Sequence, residues 1–176
     1  MISTVTRDHH EEAQELRALF ENQLRELYWA EQVMVKTLAG VISNATSKDL
    51  VAALENHTVQ TMHHSLRLEK IFGITGITPE SEKYEALSCL MKDAEEFIQS
   101  TRRGVVRDAG IIAVLQKIKH YEIACYGTMR AYALALREEE AVTLLEETLA
   151  EEKEADLILS GIAESHINVE AADREI

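Results

Sequence analysis

Glu31, Glu122, Glu152 and Asp156 stand where a helical protein ordinarily places leucine, each inside an apolar stripe at helical spacing. An ionised carboxylate removed from water is so costly that it neutralises, pairs with a cation or ligates a metal. Acids from several segments that meet in one interior therefore point to a polyvalent cation held between helices.

Four amphipathic stripes carry these positions. The first reads Leu24, Leu27/Tyr28, Glu31, Met34/Val35, Leu38, and the second Leu50, Leu54, His57, Gln60/Thr61, His64, Leu68, Ile71, polar at its centre but without an acid. A later stripe reads Ile111, Leu115, Ile118, Glu122, Cys125, Met129, Tyr132. The last reads Val142, Leu145, Leu149, Glu152, Asp156, Leu159, with two acids one turn apart on a shared face. The spacing predicts helices over about Glu12–Asn44, Lys48–Phe72, Glu80–Thr101, Val106–Leu136 and Ala141–Ser165. Ser47 suits an N-cap, Gly73, Gly76 and Pro79 mark a loop, and Asp108 suits a first helical turn.

No segment alternates with a period of two, so the chain reads as all-α. The first two helices form a hairpin, as do the last two, and the shorter third helix lies in the connection between them. Two antiparallel hairpins joined by one long crossover make a ferritin-like four-helix bundle. Residues 1–11 read as a flexible N-terminal arm, 12–166 as the bundle and 167–176 as a polar tail.

The two hairpins repeat one layout. Glu31 precedes Gln60 and His64 by 29 and 33 residues, and Glu122 precedes Glu152 and Asp156 by 30 and 34. Antiparallel packing brings such mid-helix positions to one level. The candidate metal ligands are thus Glu31, Gln60, His64, Glu122, Glu152 and Asp156. Tyr28 and His57 are placed to hydrogen-bond them from behind. Oxygen-rich ligands with a histidine suit iron or manganese, and two facing halves suit a dinuclear centre. Two alternatives stay open. Any one acid can be a stripe-edge residue reaching solvent, and the set can be a metal-free network in which His57, His64 or Gln60 bonds protonated or paired carboxylates. His63 and His120 point away from the shared face, and His9, His10 and His166 lie near the ends.

The formal charge of −13 argues against a nucleic-acid partner, which requires a basic face. No apolar run approaches the roughly 20 residues of a membrane span, and a cytoplasmic address follows. Cys89 and Cys125 sit among apolar neighbours and read as two buried thiols rather than a disulfide. Neither a nucleophile–base triad nor a phosphate-cradling glycine loop is present, so no organic cofactor is expected.

Four segments, LRELYWAEQ (24–32), ENHTVQTMHHSLRLEKIF (55–72), VRDAGIIAVLQKIKHYEIACYGT (106–128) and LLEETLAEEKEADLIL (144–159), resemble the YciE/YciF-like stress proteins of the ferritin-like superfamily. The resemblance covers about residues 14–165. It implies a bacterial cytoplasmic stress-response protein, a homodimer, and a bundle core with scope for a dinuclear metal centre. It places Glu31, Glu122, Glu152 and Asp156 on the family's acidic positions and His57 on its helix-two histidine. Gln60, Val59 and Met62 depart from the family's usual Glu, acid and His, and Gln60 removes a negative charge. Two functions follow as expectations. One is an iron or manganese protein, redox active towards dioxygen or peroxide. The other is a non-enzymatic dimeric helical protein with a metal-free polar core.

Overall fold

The computed structural model describes residues 15–173, and the regular structure among them is helical. The helices are α1 (Leu16–Asn44), α2 (Lys48–Thr75), α3 (Glu85–Ser100), α4 (Val105–Ala135), α5 (Glu139–Ile162) and α6 (Asn168–Asp173), with a π-helical turn at Ala163–Ile167. The expected N-terminal arm, with His9 and His10, lies outside the described residues.

Each long helix carries, within its buried face, a run of positions whose steps alternate between three and four. In α1 it is Phe20, Leu24, Leu27, Glu31, Met34, Leu38, Val41; in α2 it is Leu50, Leu54, His57, Thr61, His64, Leu68, Ile71. In α4 the regular run is Ile112, Leu115, Lys119, Glu122, Tyr126, Met129, Ala133, and in α5 it is Ala141, Leu145, Thr148, Glu152, Ala155, Leu159. A mean repeat of 3.5 is the seam of helices packed nearly parallel to one another. The four helices form a square in which α1 touches α2 and α4, and α5 touches α2 and α4.

Neighbours in the square run antiparallel. Asn44 of α1 meets Arg107 of α4 at 3.1 Å, while Glu31 meets Tyr126. Lys70 of α2 pairs with Glu140 at 2.7 Å, while Ala53 and Ile158 line one cavity. The crossover joins α2 to its diagonal partner α4. It begins at Gly76, whose φ of 71° is the left-handed helix stop that glycine adopts without penalty. The expected start of α3 at Glu80 moves to Glu85. The Glu82 N–H donates to the Arg25 carbonyl at 3.2 Å, which ties residues near 82 to α1.

Ser47 caps α2 as expected, its hydroxyl accepting from the Leu50 N–H at 3.4 Å. Asp108 does more than favour its own helix start. Its buried carboxylate accepts from the Thr46 N–H (2.9 Å), the Thr46 hydroxyl (2.5 Å) and the Ser47 N–H (2.8 Å), which pins the first hairpin's turn to α4. Residues 168–173, expected within a polar tail, are helical, and Ile167 before them is buried against the bundle. The expectation of two buried thiols is corrected for Cys89, which is exposed on the back of α3, while Cys125 is half-buried. Leu87, Met91 and Ala94 define the buried face of α3, and a residue two positions from Leu87 lies off it.

The apolar core is divided in two. One cluster, with Met34, Leu38, Leu54, Leu115 and Leu159, fills the end near the α1–α2 turn. The other, with Phe20, Leu24, Leu68, Phe72, Met129 and Leu145, fills the opposite end. Between them lies a polar layer sealed from water on both sides.

Candidate functional site

That layer holds Glu31, His57, Thr61, His64, Lys119, Glu122, Thr148 and Glu152, all buried. Every long helix contributes to it, because the polar residues take successive positions of the same seam as the leucines. Glu31, His64, Glu122 and Glu152 of the expected ligands come together. The other two expected ligands, Gln60 and Asp156, do not join them, nor does Tyr28, whereas His57 stands beside them in the layer.

His64 is held at both ring nitrogens. Its Nδ1 lies 3.2 Å from Glu152 Oε1 and 3.5 Å from Glu31 Oε1. Its Nε2 lies 2.9 Å from Glu151 Oε2. Glu151 is in turn gripped by the Arg67 guanidinium through two bonds, Nη1 to Oε2 at 2.7 Å and Nη2 to Oε1 at 2.8 Å. Burial opposes a charge on the His64 ring, but the close approach of Glu152 and Glu31 outweighs it and lifts its pKa to about 10.

Lys119 is the residue that sequence reasoning missed. Its ammonium stands 2.5 Å from Glu122 Oε2, 2.6 Å from Glu152 Oε2 and 2.6 Å from His57 Nε2. Burial alone would strip its proton, yet Glu122 and Glu152 hold it above the ordinary lysine range. Burial would likewise raise Glu152, but Lys119 and His64 keep it well below the usual carboxylate range. Glu122 is pushed upward by burial and by Glu152, against the pull of Lys119. His57, buried and facing Lys119, falls to about 4. It is therefore neutral, with Nε2 accepting from Lys119 and Nδ1 facing Gln60 Oε1 at 3.4 Å. The signal for Lys119 was present in the chain. Lys119, Glu122, Tyr126 and Met129 continue the 3-4 run from Leu115, whereas the stripe drawn through Ile118 and Cys125 follows the neighbouring edge.

Three expected roles are corrected. Tyr28 donates to Glu69 at 2.7 Å on the exposed side of α1, and the hydroxyl that donates to Glu31 Oε1, at 2.5 Å, belongs to Tyr126 of α4. Asp156 accepts from Gln116 at 3.3 Å and lies 3.5 Å from His120, because the seam continues from Glu152 to Ala155 rather than to the residue after it. Gln60 stays half-buried beside the seam for the same reason, its neighbour Thr61 taking the core position. Gln60 instead lines a cavity of about 30 Å³, room for about one water, which also meets His57 and Lys119.

The fit of a cation rests on buried atoms. Glu31 Oε2, His64 Nδ1 and Glu152 Oε1 are buried without a well-aligned hydrogen bond, His64 Nδ1 meeting the two carboxylates only as an ion pair at 3.2 and 3.5 Å. One ligand atom from each of these residues lies within 4.8 Å of the others. Ligands on opposite sides of one first-row ion stand roughly 4.2 Å apart, so small side-chain shifts would close them on a single ion. The His64–Glu151–Arg67 chain is the bracing that a metal-bound histidine uses. The residues fit one ion once His64 releases the Nδ1 proton that it shares with Glu152 and Glu31.

Comparison with known proteins shows the family and the shared fold. Residues 15–172 match the domain of unknown function DUF892. The chain is 33% identical to protein YciF of Escherichia coli (strain K12) over 157 residues, covering 89% of this chain and 95% of YciF. The crystal structure of that E. coli stress protein superposes with a TM-score of 0.84, over 88% of this chain and 98% of YciF. YcfI of Rhodopseudomonas palustris, described as a candidate structural protein, is 35% identical with a TM-score of 0.82, over 88% of this chain and 96% of its own. A Xanthomonas campestris protein of 18% identity, with a TM-score of 0.71 over 92% and 99% of the two chains, shares the fold.

Proposed function

The chain belongs to the DUF892 family, and from that premise we propose that it is a bacterial stress protein whose bundle core holds an iron or manganese ion between Glu31, His64 and Glu152. The observation that carries this reading is the convergence within 4.8 Å of one ligand atom from each of three buried residues on three helices, one of them a histidine braced from behind. A bound ion of this kind supplies one-electron redox chemistry towards dioxygen or peroxide. The chain's own part is positioning and shielding. Tyr126 fixes Glu31 by donating to Oε1, Glu151 sets the tilt of the His64 ring, and the two apolar clusters keep bulk water from the layer. Lys119 presents a fixed positive charge to the small cavity that it shares with His57 and Gln60, a charge suited to a reduced oxygen species.

The test is elemental analysis of protein purified without chelator from cells supplied with iron and manganese. Bound metal is expected in the native chain. It should be lost in Glu31→Gln and His64→Gln at unchanged helical circular dichroism. Metal content unaltered by both substitutions would remove the assignment.

A second reading is a non-enzymatic dimeric stress protein with a metal-free core. The observation favouring it is Lys119, which already gives Glu122 and Glu152 a cation. A melting temperature indifferent to both chelator and added metal would select it.

A further inference from the structure

Dinuclear carboxylate bundles draw their ligands in a fixed pattern, a Glu from each of two helices and a Glu-x-x-His from each of the other two. On the seams of this chain the single acids are Glu31 of α1 and Glu122 of α4. The two i, i+3 pairs are Thr61-x-x-His64 on α2 and Glu152-x-x-Ala155 on α5. All of these are buried. One half of the pattern therefore survives, in Glu31, His64 and the shared Glu152, and these are the residues whose ligand atoms converge within 4.8 Å. The other half retains Glu122 and the same Glu152, but lacks the α2 carboxylate and the α5 imidazole.

Between Glu122 and Glu152 stands the Lys119 ammonium, 2.5 and 2.6 Å from their oxygens. It comes from α4 itself, one turn before Glu122, and is buried to 1% exposure. We propose that Lys119 is a built-in cation occupying the second position of the centre, so that the core accepts one metal ion and excludes another. The ammonium supplies the charge that holds Glu122 and Glu152 together, and it leaves no space for a dication between them. Two ions in such centres lie roughly 3.5–4 Å apart, and an ion in the second place would have to displace the lysine from two carboxylates. The absence of a Glu at Thr61 and a His at Ala155 has the same origin, since a place filled by lysine needs no further ligands. The inference rests on the proposed metal site and specifies its nuclearity.

The experiment is manganese titration with electron paramagnetic resonance on three proteins: the native chain, Thr61→Glu/Ala155→His, and Thr61→Glu/Lys119→Ala/Ala155→His. About one equivalent with an uncoupled signal is expected for the first two, and about two equivalents with an exchange-coupled signal for the third. Two equivalents in the native chain, or in the double variant that keeps Lys119, would overturn the role of the lysine while leaving the metal site standing. No binding in the native chain, with binding in the triple variant, would retain Lys119 as the resident cation and remove the native metal site. No binding in any of the three would remove both. If the triple variant does not fold, Thr61→Glu/Lys119→Met/Ala155→His replaces it, with a gain of bound manganese over the native chain expected and no gain overturning the proposal.

Discussion

The His64 ring is fixed by charges on both sides, and the outer of these is a device that sequence patterning alone does not reveal. Glu151 sits on the rim of the α5 stripe, ordinary in a run of acids, yet it links His64 to the Arg67 guanidinium. A carboxylate that orients a ligating histidine typically accounts for about 10–100-fold in metal affinity. Glu151→Ala should therefore weaken manganese binding by that order with little loss of helicity, and an unchanged dissociation constant would relegate Glu151 to a surface ion pair.

The two buried histidines also shape the response to pH of the chelated protein, in opposite directions. His57 has a folded pKa of about 4, below the roughly 6.5 of an unfolded histidine. The folded state then binds fewer protons between those values, and stability falls as pH drops through them. His64 has a folded pKa of about 10. Its contribution is complete below roughly 6.5 and is lost as pH rises through 10. The urea midpoint in EDTA should peak near neutrality, with Glu152 adding to the acid side as its lowered carboxyl takes up a proton. His64→Gln should flatten the alkaline arm and leave the acid arm in place. An alkaline arm of the same slope in that variant would exclude His64 as its origin.

At the level of helices, the seam decides which residues meet. The 3-4 alternation carries α5 from Glu152 to Ala155 and α2 from His57 to Thr61. A one-residue error in tracing it substitutes Asp156 and Gln60 for the true core positions. The same reasoning applies where α3 crosses α4. A Cβ built on Gly110 would lie 1.8 Å from the Phe97 ring, so the ring rests on α4 where that position has no side chain. Gly110→Ala should destabilise the protein by about 1–3 kcal/mol through overpacking. In a chain of this size that is a fall of several degrees in melting temperature. A rise, as helix propensity alone would give, would show that α3 can shift away without penalty.

For the whole molecule, two apolar clusters enclosing a charged layer make stability and ligand binding one equilibrium. The layer is formed from four helices, so an unfolded chain has no equivalent site, and a metal that binds only the folded state must raise the melting temperature. At a free concentration 100 times the dissociation constant the gain is about 2.7 kcal/mol. This corresponds to roughly 5–10 °C for a domain of this length. Calorimetry with and without excess manganese reads it directly, and coincident transitions would favour the metal-free core.

The chain by itself determined the four long helices, their pairing into two hairpins, and the level at which Glu31, His64, Glu122 and Glu152 meet. These follow from local periodicity and loop length, and an acid inside a leucine stripe is visible without coordinates. Lys119, Glu151 and Tyr126 acquired their place beside Glu31, His64 and Glu152 only in the folded bundle. A lysine is read as solvent-seeking unless carboxylates from other helices are known to surround it, and that knowledge is tertiary. The choice between adjacent residues on a broad apolar face, Thr61 over Gln60 and Ala155 over Asp156, was likewise made by the seam. Isolated helices repeat every 3.6 residues, while packed neighbours hold the contact line to 3.5.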